Sequence, residues 1–168
     1  IELLGTSSVR DLNHFLLKLL DSKHTEIIKK TLQIVREENI KGLSDEIKPF
    51  LNHENESIQI EAIKTYGHIL EDLSVDELTD KVAVEENEIS NAALVSIIKN
   101  GGIYGATKFG NNILNLLNST SDSDRKKAAD IIGKISVRNY YRPLISLIES
   151  DNLEVKRTAV VAAGKIGN

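Results

Sequence analysis

The chain contains no cysteine, no methionine and no tryptophan, and only two of its 168 residues are proline. Without thiols it can form no disulfide, thiolate metal site or thiol nucleophile, although this leaves the compartment open. A formal net charge of −4 argues against a general nucleic-acid binder, whose surface is usually basic. No apolar run approaches the roughly 18 residues of a membrane span, and no signal peptide opens the chain, so direct membrane insertion is not expected. No phosphate-binding glycine loop, nucleophile motif or metal-spaced cluster appears. The sequence therefore points to no catalytic residue, no metal and no cofactor. The lack of methionine, even at position 1, is expected of a piece excised from a larger protein.

What is present is a repeat. With 40% hydrophobic and 27% charged residues, the composition is that of a soluble globular chain, and the length suits one domain. Aliphatic residues recur at Leu16, Ile47, Leu78, Ile113 and Leu144, in steps of 31, 31, 35 and 31 residues. Each has a second aliphatic four places on, Leu20, Leu51, Val82, Leu117 and Ile148, so each pair shares one face of a helix. A second column runs Thr31, Ala62, Ala93, Ala128 and Ala159 with the same steps. Small residues there let the second helix of each unit approach its neighbour closely. A third column holds Gly67, Gly133 and Gly164, and Gly5 lies on the same grid one period earlier.

This grid resembles the short HEAT-like repeats named after phycobilisome lyases, over essentially the whole chain. The best match is the last unit, with Pro143-Leu144-Ile145 opening its first helix, Asp151 in the turn, and Val155-Lys156, Ala159 and Gly164-Lys165-Ile166-Gly167 in its second. The resemblance implies an all-α fold, a right-handed α-solenoid of about five helix-turn-helix repeats spanning 1–168. The repeats fall at about 7–40, 41–73, 74–101, 102–137 and 138–168, after the tail of a preceding repeat at 1–6. Each unit of such an array buries its apolar stripe against the next. Further repeats or another domain are expected to follow Asn168. Function does not follow from the fold, because members of this family are scaffolds, regulatory modules and occasionally enzymes. The enzymatic patterns find little here. A HEAT-repeat di-iron hydroxylase such as deoxyhypusine hydroxylase uses several His-Glu pairs, and only His53-Glu54 has that form. HEAT-like DNA glycosylases use a basic concave face with aromatic residues, against the acidic balance of this chain.

Local signals refine the outline. Ser7 or Ser8 suits the cap of a helix carrying Leu12, Phe15, Leu16, Leu19 and Leu20. Pro49 should kink a helix or end its regular hydrogen bonding. Ser74 with Glu77, and Ser121 with Asp124, read as capping boxes. The one break in the period lies in 99–112, where KNGGIYGATKFGNN holds four of the ten glycines. A loop followed by a weakly favoured, longer helix is expected there, with Tyr104 and Phe109 as candidate loop contacts. The run Arg138-Asn139-Tyr140-Tyr141-Arg142 has the residue types of an interface hot spot, and also suits packing of the turn between units.

The candidate site is a surface. Residues two before and two after the small-residue column give a stripe on the second helices: Lys29 and Gln33, Ile60 and Lys64, Asn91 and Val95, Lys126 and Asp130, Arg157 and Val161. In the resembled family these helices line the concave side. The stripe is basic toward its ends and apolar at Ile60, Val95 and Val161, which suits a peptide or protein partner better than a phosphate backbone. The expected function is a non-catalytic scaffold for protein-protein interaction, in the cytoplasm, with a partner that includes another domain of the same protein as one option. The alternative is a cytoplasmic regulatory module tethered to the membrane through a domain elsewhere. That alternative comes from the likeness of AALVSIIKNGG and SDSDRKKAADIIGKI to HEAT-like stretches of bacterial transporters resembling ATP/ADP translocases.

Overall fold

The computed structural model describes residues 12–82, 87–136 and 141–167. Over them the chain is all-helical, with no strand. It forms two compact units, Ile1–Ala93 and Leu94–Asn168. Ser7, Ser8, Gly5 and Arg138 to Tyr140 lie outside the described residues.

The first unit contains helix α1 over 12–20, α2 at Thr25–Glu37, α3 at Ser44–Ile47, α4 at Glu56–Leu70 and α5 at Val75–Thr79. It also holds the start of α6 at Glu88–Asn100. Here α2 packs on α4. α2 ends where Asn39 takes a left-handed φ of 49° and lets the Ile40 N–H reach the Val35 carbonyl at 3.0 Å, a closure that asparagine tolerates well. Pro49 acts as expected: α3 stops at Ile47 and the chain tightens into the 3-10 turn Lys48–Asn52. α4 starts on Asn55, whose side-chain oxygen accepts from the N–H groups of Ser57 and Ile58 at 3.0 and 3.3 Å.

The second unit contains the rest of α6, then α7 at Gly102–Leu117, α8 at Asp122–Ile135, α9 at Tyr141–Ile148 and α10 at Leu153–Gly167. α10 packs on α8 and α9, and α7 packs on α8. Asn152 caps α10 by accepting from Glu154 and Val155 N–H, while its amide donates to Asp122 at 2.7 Å and so joins the starts of α8 and α10.

Two of the repeat columns are buried at every position. Leu16, Ile47, Leu78, Ile113 and Leu144 are each 1% exposed or less, as are Thr31, Ala62, Ala93, Ala128 and Ala159. An apolar period at helical spacing thus marks the buried face of these helices.

Two local expectations are corrected. The segment 99–112 is no loop, because α6 runs to Asn100 and α7 begins at Gly102, with Gly101 alone between them. The glycines serve a sharp corner instead. Gly102 has a φ of +55°, and at Gly105 a Cβ would stand 2.2 Å from the Ile97 carbonyl oxygen. Close helix approach, which propensity cannot express, outweighs the roughly 1 kcal/mol that a helical glycine costs. The expected longer helix is there, with 16 residues. The Ser74–Glu77 capping box does not form. Ser74 donates its hydroxyl to the Glu71 carbonyl at 2.6 Å, and Glu77 pairs with Lys48 at 2.9 Å. The 3-10 turn Glu71–Ser74 runs straight into α5, so there is no extended cap residue for the hydroxyl to serve. At Ser121 half the box is present. Ser121 accepts from the Asp124 N–H, but the Asp124 carboxylate takes the Ser119 hydroxyl at 2.5 Å instead of the Ser121 backbone.

Candidate functional site

The predicted stripe falls on both units. Lys29 and Gln33 lie on α2, Ile60 and Lys64 on α4, and all four belong to the first unit. Asn91 and Val95 lie on α6, the helix in which the division between units falls, and both are half-buried. Lys126 and Asp130 on α8, with Arg157 and Val161 on α10, belong to the second unit.

Most of the stripe's charge is already committed. The Lys29 amine sits 3.0 Å from Glu26, Lys64 lies 3.6 Å from Glu61, and Lys126 bridges to Glu154 at 3.2 Å. Asp130 pairs with Lys134 at 2.6 Å, and Gln33 accepts from Lys30 at 3.4 Å. Among the described residues only Arg157, of the four stripe cations, has no carboxylate partner. The apolar members are partly open: Ile60 and Val95 are half-buried, while Val161 is 54% exposed beside the exposed Val160.

The aromatic candidates separate. Both Tyr104 and Phe109 lie on helix α7, so neither is a loop contact. Tyr104 is 49% exposed, and the Lys108 ammonium lies 5.3 Å from the centre of its ring. Phe109 is only 8% exposed, because it lies one turn from the buried Gly105 and one turn from the buried Ile113. It is a core residue. Tyr141, the described member of the tyrosine pair, opens α9 and is largely exposed. His53 is held by its neighbours: its Nδ1 accepts from the Asn55 N–H at 2.9 Å and its ring stacks on Phe50. No group of three or more histidine and carboxylate side chains converges among the described residues. No helix among them is long and apolar enough to cross a membrane.

A charged cluster that the sequence did not reveal lies between α2 and α4. Glu61 is buried, accepts from Arg36, and has Lys64 on its other oxygen. Beside it the buried Thr65 hydroxyl donates to the Leu32 carbonyl at 3.0 Å. The only signal for this was a glutamate next to the small-residue column, and glutamate is usually a surface residue. Elsewhere in the same unit, the hydrogen bond and charge of Glu77 hold the Lys48 amine above its ordinary value. Burial raises the Tyr66 phenol above its own, with Lys48 pulling the other way.

No protein-family model and no curated protein matches the chain. Among solved structures it is similar to the crystal structure of an engineered protein, at 21% identity and a TM-score of 0.44. That match covers 91% of this chain and 47% of the other, so the chain spans about half the length of its structural neighbour.

Proposed function

We propose that the chain is a non-catalytic interaction scaffold, a right-handed α-solenoid of HEAT-like hairpins that takes a peptide or protein segment along its second helices. The observation that carries this reading is Val161, an apolar side chain 54% exposed on the stripe, one helical turn from the uncommitted Arg157. In the first unit the matching positions offer Ile60 with Gln33 and Lys64. An apolar centre with a polar rim suits a protein partner. A phosphate backbone would need free cations, and Lys29, Lys64 and Lys126 are already neutralised by Glu26, Glu61 and Glu154.

Peptides displayed on phage and selected against the immobilised chain test the reading. The selected sequences should share one or two large apolar residues. Synthetic copies should lose about tenfold or more in affinity for Val161→Asp, or for Ile60→Asp combined with Val95→Asp. Circular dichroism checks that these variants stay folded. If no peptide is selected, or if binding survives in the folded variants, the stripe is not a binding site.

A further inference from the structure

Charge is unevenly divided along the chain. Residues 94–168, the second unit, hold 11 Lys and Arg against 6 Asp and Glu, a net of +5, whereas residues 1–93 hold 10 against 19, a net of −9. One column of the repeat changes character at the same point. Six places beyond the small-residue column stand Glu37 and His68 in the first unit and Lys99, Lys134 and Lys165 in the second, all five exposed. Packing of α10 on α8 brings two of these lysines together. Gly133 has no side chain, and the Lys165 Cδ lies 3.7 Å from where a Cβ there would stand, so the Lys165 stem lies against α8 next to Lys134.

The carboxylates of this face are taken: Asp130 holds Lys134 and Glu154 holds Lys126. Arg157 and Lys165 are left with no carboxylate partner among the described residues. Each stands four residues from the exposed Val161 on α10, so an apolar side chain lies between two uncommitted cations. The face does not owe its openness to the place of α10 in the chain. On α8, against which α10 packs, the same three columns carry Lys126, Asp130 and Lys134, and their side chains are still 49%, 47% and 47% exposed.

The spacing suits an extended peptide. Eight residues of helix separate Arg157 from Lys165, about 12 Å along the axis. An extended chain covers about 13 Å in four residues, and residues two apart point to the same side. An acidic residue two places to either side of a large apolar one therefore matches both cations and Val161 at once. A nucleic acid would leave Val161 without an apolar counterpart, and the −9 of the first unit would repel a long polyanion. We propose that the α8–α10 face binds an acidic protein segment in this way, with its apolar residue on Val161 and its carboxylates on Arg157 and Lys165. The proposal rests on the interaction-scaffold reading and adds to it the charge and spacing of the partner.

Two short fluorescein-labelled peptides test this by anisotropy against the 168-residue chain. One carries glutamate two places to either side of a leucine, and its twin carries glutamine there. The glutamate peptide should bind about tenfold more tightly, and its advantage should shrink as salt is raised. Arg157→Gln combined with Lys165→Gln should erase the difference between the twins while circular dichroism stays unchanged. Lys156→Gln removes a charge from another side of α10 and should preserve the difference. Twins that bind equally overturn the proposal, as does failure of both to bind. So does a difference that survives the double variant or that Lys156→Gln removes as well, and so does tighter binding of a single-stranded DNA of equal charge. If the phage-selected peptides still depend on Val161 in any of these cases, the scaffold reading stands without this addition, and if they do not, both fail.

Discussion

Arg36 of α2 and Gly133 of α8 hold the same place in the repeat, and their helices meet the next second helix in opposite ways. Between α2 and α4 the contact is polar: Arg36 donates to the buried Glu61, and Thr65 to the Leu32 carbonyl. Between α8 and α10 there is no side chain at position 133, and Ala162 packs against bare backbone. The period thus decides which positions touch, while the side chains decide what the contact is sensitive to. The polar contact depends on keeping both partners, and the bare one on keeping volume out.

The largest effect that would break this contrast is expected at Gly133. Gly133→Leu should lower the unfolding free energy by about 3 kcal/mol, measured by urea denaturation, because the new side chain must displace Ala162. Next is Glu61→Ala, which leaves the Arg36 guanidinium half-buried without its acceptor. A loss of about 2 kcal/mol is expected, reduced from the value for a fully buried pair because Arg36 keeps some solvent. Adding Arg36→Ala should recover part of that loss, and the double-mutant cycle measures the coupling. If the two losses are additive, the polar contact is not a unit.

The smallest effect concerns alkaline pH. The folded state holds the Tyr66 proton more tightly than the unfolded state does, against an ordinary value of 10.0, and the Lys48 proton likewise against 10.5. For a raised group, stability is complete below the unfolded value and falls as pH rises through the folded one. Urea midpoints should therefore be level up to about pH 10 and decline above it, and Tyr66→Phe should flatten part of that decline.

How much of this the sequence disclosed depends on which force acted at each residue. The columns at Leu144 and Ala159 were legible because burial repeats at a fixed spacing. Pro49 was legible because its missing N–H acts locally. Gly105 was misread because its use is a tertiary contact with Ile97, whereas propensity sees only the cost of glycine in a helix. Phe109 went to a loop by the same error. The ten stripe residues all lie on helices, but the carboxylates that occupy Lys64 and Lys126 sit on other positions of the grid, and their reach needs coordinates.

The bonds between hairpins also bear on how fast the chain folds. Lys41 reaches Glu71, Thr65 reaches Leu32, Lys126 reaches Glu154 and Asn152 reaches Asp122, always about one repeat away, at separations from 28 to 33 residues. Each such contact closes a loop of similar, modest length, so adding hairpins raises the number of closures but not the entropy of any one. Each of these closures therefore costs a similar entropy wherever it falls in the chain.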